Sequence, residues 1–104
     1  MIRRISIVHR RPDISREEFV SRWTGEHAQV AARLKGLRGY VLYFASEACA
    51  SFDGIAVTSF DSRDAAERAF SDPALADDLR RTRDEFATSV EVCFVEEQVI
   101  VAET

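Results

Sequence analysis

Only two cysteines occur in the 104 residues, Cys49 and Cys93, and neither stands in a C-x-x-C or similar spacing. At most one bridge could form, which excludes a disulfide framework and a cysteine-based zinc site. Both read as buried or half-buried thiols of a cytoplasmic protein. No apolar run approaches the roughly 20 residues of a membrane span, so no membrane association is expected. The first residues carry arginines ahead of apolar side chains, but Ser6 and His9 interrupt that run. No small-residue cleavage site follows, so the segment is not read as a secretory signal. Positive charge is in the minority, with 14 Lys+Arg against 18 Asp+Glu and a net charge of −4. Without a long basic stripe, nucleic acid is not an expected partner. A glycine-rich phosphate loop, a G-x-S-x-G elbow and a Ser/His/Asp arrangement are all missing, which leaves nucleotide and flavin chemistry unsupported. Nor is there an H-x-x-x-H spacing, so neither a metal nor another cofactor is expected.

What is present is the balance of a soluble globular chain, 46% hydrophobic and 31% charged. With no internal repeat, low-complexity tract or linker, residues 1–104 read as a single domain. Residues 2–10 alternate, with Ile5, Ile7 and His9 on one parity and Arg4, Ser6 and Val8 on the other, which predicts a strand. Ser15-Arg16-Glu17-Glu18 forms a capping box. It opens a helix predicted over 16–33, whose narrow stripe is Phe19, Trp23, Val30 and Leu34. Gly36 closes that helix. Strands are predicted over 37–45, 54–60 and 90–102, the last with a bulge or bend at Glu96-Glu97-Gln98. Between the third and fourth strands, Asp61 or Ser62 caps a short helix that reaches Phe70. Asp72-Pro73 then starts another, with Leu75, Leu79 and Phe86 as its stripe. Asp77 and Arg81 stand four apart in the favourable order for an ion pair. The fold class is α+β. The order β-α-β-β-α-β is the ferredoxin-like plan, a four-stranded antiparallel sheet with helices on one face.

Helices cover only one face of such a sheet, yet both parities of the second strand are apolar: Leu37, Val41, Tyr43 and Ala45 against Tyr40, Leu42 and Phe44. A greasy open face is seldom left in water. The expectation is a homodimer in which two sheets meet, closing a barrel of about eight strands around a chamber for a small ligand.

His27 follows Trp23 by four and lies at the edge of the apolar stripe, where an imidazole can exchange a proton near neutral pH. If it acts as a neutral base with an ordinary pKa, activity should rise through about pH 6.5. His9 shares the parity of Ile5 and Ile7 and is a candidate for the same cavity. Tyr40 and Tyr43 fall on opposite parities, so one of them can aim a phenol inward to stabilise an oxyanion. Trp23, Phe19 and other phenylalanines supply core, and some of them the wall of a pocket for a flat, apolar or aromatic ligand. Arg3, Arg4, Arg10 and Arg11 read as a solvated rim. Asp53 reads as a turn residue, and Asp84 as a solvated acid.

The run Ser15-Arg16-Glu17-Glu18-Phe19, Trp23, Glu26-His27-Ala28, Leu34, Gly36-Leu37-Arg38 and Tyr40 resembles the signature of the EthD family. Asp53-Gly54-Ile55-Ala56, Phe60-Asp61-Ser62 and Asp84-Glu85-Phe86 extend the likeness over nearly the whole chain. The resemblance implies a dimeric α+β barrel and a cavity between helices and sheet. It also implies cofactor-free lyase, isomerase or cyclase chemistry on an aromatic or polyketide-like small molecule. On that implication Trp23 and His27 match the family's helix tryptophan and histidine, with His27 as general acid/base, and Tyr40 matches its strand tyrosine. Two alternatives go with it: a non-catalytic binding or accessory protein of a degradation pathway, and a cofactor-independent monooxygenase.

Overall fold

A computed structural model of the chain describes residues 1–103. The alternating first segment forms β1 (Ile2–Arg10), and two further strands follow the first helical region, β2 (Gly39–Phe44) and β3 (Gly54–Phe60). Two consecutive helices, α3 (Arg63–Phe70) and α4 (Pro73–Asp84), lead into β4 (Ala87–Val95). The four strands make one antiparallel sheet in the order β2-β3-β1-β4. This is the ferredoxin-like arrangement expected from the order of elements.

Local chemistry sets the helix starts. Ser15, Ser62 and Asp72 each accept a hydrogen bond from a backbone N–H of the first turn, those of Glu18, Ala65 and Ala74 respectively. Only half of the capping box forms, because Glu18 instead pairs with Arg22 at 3.0 Å. Asp77 pairs with Arg80 rather than Arg81, whose guanidinium reaches Glu26 and Asp78.

The predicted 16–33 helix is broken. It runs as α1 (Arg16–Arg22), one wide π turn (Trp23–His27) and α2 (Ala28–Ala31). The N–H of Ala28 donates to the Trp23 carbonyl five residues back, and Gly25 leaves helical dihedrals at φ −84°, ψ −116°. Two residues explain the break: the Thr24 hydroxyl donates to the Val20 carbonyl at 2.7 Å, and Gly25 is a weak helix former. Gly36, at φ +81°, turns the chain toward β2.

β4 begins earlier than expected and ends at Val95, which pairs with Arg3 of β1. Past that point Glu97 folds back to meet Arg3 at 3.0 Å. The irregularity lies at the other end, where the register shifts between His9 and Arg10.

Register assigns the faces. Toward the helices point Arg4, Ser6 and Val8 of β1, Tyr40, Leu42 and Phe44 of β2, Ala56, Thr58 and Phe60 of β3, and Val90, Val92 and Phe94 of β4. The core divides into two clusters. One gathers Phe19, Trp23, Phe86, Val8, Ile14 and Ala56; the other gathers Val30, Ala31, Leu34, Phe60, Ala66, Ala69 and Leu75. Each large buried side chain contributes roughly 1.5–3 kcal/mol.

Both cysteines are free and exposed, contrary to the expected burial. Cys49 lies in the loop between β2 and β3, and Cys93 falls on the helix-free parity of β4. Among the described residues, no helix is long and apolar enough to cross a membrane.

Candidate active site

A cavity of about 340 Å³ lies between the helices and the sheet. Its strand side is made by Arg4, Ser6, Val8, Tyr40, Ala56, Thr58, Val90 and Val92, all of the helix-facing parity. Trp23, His27 and Ala31 enter from the first helical region, Phe70 from α3, and Leu79, Arg80 and Arg83 from α4. Phe86, in the link to β4, completes the aromatic wall. The chamber therefore forms within one chain. It lies on the helix-covered face of the sheet, where the helices bridge over the strands without closing on them.

Trp23 is 2% exposed and fixed on several sides. Its indole stacks on Phe86 at 5.1 Å and meets Phe19 and Phe44 edge-on at 5.4 and 5.5 Å. Gly54 on β3 makes room for it, since a methyl group there would overlap the indole's six-membered ring. The indole N–H is buried and has no well-formed hydrogen bond. It lies near enough to the Tyr40 phenol to favour phenolate, but burial outweighs this and raises the Tyr40 pKa above its usual value. Tyr40 thus stays a phenol and a donor at neutral pH.

His27 leaves the π turn toward α4. Its Nδ1 lies 2.7 Å from Thr82 Oγ1, and Thr82 Oγ1 lies 2.7 Å from the Asp78 carbonyl. Each contact requires one proton, and the hydroxyl has one to give. A carbonyl has none, so the hydroxyl donates to Asp78 and Nδ1–H donates to the hydroxyl. Nε2 is left as the basic nitrogen. Burial, then the positive charge of Arg83, push the His27 pKa down to about 4, with the Leu79 carbonyl opposing them. The ring is held edge-on to Phe86 at 5.2 Å.

The structure brings together His27, Tyr40 and Trp23 and separates the other candidates. His9 lies on the opposite face of the sheet, 4.0 Å from Asp53 Oδ2, and does not line the cavity. The idea that it shares a cavity with His27 is corrected: its own parity in β1 turns it away. Tyr43 is on that same outer face, 57% exposed. Phe19 is 1% exposed and packs behind Trp23, outside the lining. Asp53 does tie a turn, accepting from the Arg10 N–H at 2.7 Å.

Arg4, which lines the cavity, and Thr82, which holds His27 from behind it, are residues that sequence reasoning missed. Arg4 had a readable signal, an arginine on the parity of Ser6 and Val8. Thr82 had none, because only the packing of α4 against the π turn makes it a partner of His27. Among the described residues, no group of three or more His, Cys, Asp or Glu comes close enough to hold a metal ion.

A family model described as the EthD domain matches residues 11–89. The chain belongs to the EthD family. Among solved structures, an EthD family protein from Bacillus halodurans superposes with a TM-score of 0.76 at 15% identity, covering 94% of this chain and 100% of that one. A dimeric protein of unknown function with a ferredoxin-like fold from Bacteroides fragilis gives 0.71 at 14%, covering 92% and 95%. SnoaB, a cofactor-independent oxygenase from Streptomyces nogalater, gives 0.75 at 15%, covering 98% and 97%. At these identities the likeness is one of fold. No match is found among curated proteins. Within this EthD chain, Trp23 and His27 sit at the two ends of the π turn, and both line the cavity.

Proposed function

We propose that the chain is a small cofactor-free enzyme, a lyase, isomerase or cyclase acting on an aromatic or polyketide-like molecule. Nε2 of His27 takes a proton from carbon beside a carbonyl. The Tyr40 hydroxyl, held as a phenol, donates to the oxygen as charge develops on it. Trp23 and Phe86, stacked on each other, make one aromatic wall against which the flat part of the molecule lies. One observation carries this reading: a cavity imidazole that is neutral across the physiological range, with Nδ1–H tied to Thr82 and Nε2 unprotonated. The same reading includes a homodimer formed by the open face. It is supported by Val41 and Tyr43, 47% and 57% exposed in the isolated chain, and by the dimeric relative of like fold.

The test is hydrogen–deuterium exchange at the methyl group of a methyl naphthyl ketone in heavy water, followed by NMR. His27→Gln is expected to lower the protein-catalysed rate by about 10²–10⁴-fold while preserving the circular dichroism spectrum. The neutral imidazole is the active form, so the rate should stay level from pH 8 to 5 and fall as the pH approaches about 4. Burial thus displaces the limb from the pH 6.5 expected of an ordinary histidine. Equal rates for wild type and His27→Gln would remove His27 as the base and leave the binding-protein reading.

A further inference from the structure

We propose that the cavity takes an anionic aromatic molecule, a ring system bearing a carboxylate, and that Arg4 holds the carboxylate. The inference deepens the reading above by naming a ligand class for the His27 cavity, but it does not need His27 to act as a base.

Arg4 sits in mid-strand with its side chain turned inward, partly withdrawn from water. Its guanidinium carbon lies 3.7 Å from the centre of the Phe70 ring, and Nη1 donates to Ser6 Oγ at 3.1 Å. Among the described residues it has no carboxylate within ion-pair distance, whereas Arg80 and Arg83 in the same lining pair with Asp77 and Asp84. Withdrawing a guanidinium from water without an anion is costly. That loss of water is also what lowers the Arg4 pKa.

The surroundings favour an anion as the missing partner. Three arginines and no aspartate or glutamate line the cavity, in a chain whose net charge is −4. The Phe70 ring covers one face of the guanidinium plane, which leaves N–H groups along its edge for a partner. A planar carboxylate matches that edge with two parallel hydrogen bonds. The apolar remainder of the lining, Phe86, Leu79, Val8 and Val92, suits a ring.

The test is isothermal titration calorimetry with naphthoate and its neutral counterpart naphthamide. Wild type should bind naphthoate at least about 10-fold more tightly than naphthamide, and Arg4→Gln should lose about 10–100-fold of naphthoate affinity while naphthamide affinity is kept. Arg4→Lys retains the charge on the same strand and should keep part of the preference, which guards against misfolding of the glutamine variant. Equal wild-type affinity for acid and amide overturns the proposal, as does a preference that survives Arg4→Gln. His27→Gln should keep the preference for the acid, so failure of this site and failure of the base are read separately.

Discussion

On the helix-covered side of the sheet, Val8, Ala56 and Phe60 are buried, while on the other side Val41 and Tyr43 stand in the open. Both sides carry apolar residues, and strand by strand their patterns are similar. The difference lies in what each face meets. The covered face contributes to two aromatic and aliphatic clusters and also lines a mostly apolar cavity that several polar groups enter. The open face meets no element of its own chain. Apolar character therefore says that a strand face wants cover, but not whether a helix or a second molecule provides it, nor on which side a site will form.

Three perturbations sharpen this contrast. The largest effect is expected in the covered layer. Phe19→Ala should cost about 3–5 kcal/mol in chemical denaturation, because the ring is enclosed by Trp23, Phe44 and Phe86. A loss near that of an exposed substitution would mean that this cluster does not anchor the fold. Next comes Val57→Lys, which places a charge in the middle of the open face. It should weaken self-association by about 100-fold in sedimentation while leaving the secondary structure intact. An unchanged assembly would assign the dimer to another surface.

The smallest effect returns to the covered side. In the unfolded chain His27 titrates near 6.5 and in the folded chain near 4. Its neutral form is thus fully compatible with folding above pH 6.5, and stability falls as the pH drops from there toward 4, because the unfolded state binds the proton first. The loss is on the order of 2 kcal/mol once partial exposure is discounted. His27→Gln should show a correspondingly shallower decline in unfolding free energy over that interval. Parallel declines in the two proteins would place His27 in water.

Much of the framework was legible in local chemistry. Ser15, Ser62 and Asp72 announced helix starts because a short polar side chain before an apolar stripe satisfies free N–H groups, and Pro73 and Gly36 marked a start and a stop. The alternation in β1 carried the inward direction of Arg4 as plainly as that of Val8. Reading Arg4 as a solvated rim missed this, because charge was weighed above parity. The break at Gly25 had its signal in the Thr24-Gly25 pair, but the long apolar stripe outweighed it. The site was legible only in part. His27, Trp23 and Tyr40 share the cavity, whereas the parities of His9 and Tyr43 put them on the far side, and Phe19 is drawn behind the indole into core.

The sequence by itself determined the elements, their order and the apolar stripes, since these follow from short-range capping, periodicity and the alternation of side chains along a strand. Tertiary structure alone decided that Thr82 of α4 would hold Nδ1 of His27, that Gly54 would lie beneath the indole, and that Arg4 would enter a cavity without an acidic partner. These are contacts between residues far apart in the chain. They are set by how helices pack on a twisted sheet, and burial then moves protons and charges in ways that no local pattern encodes.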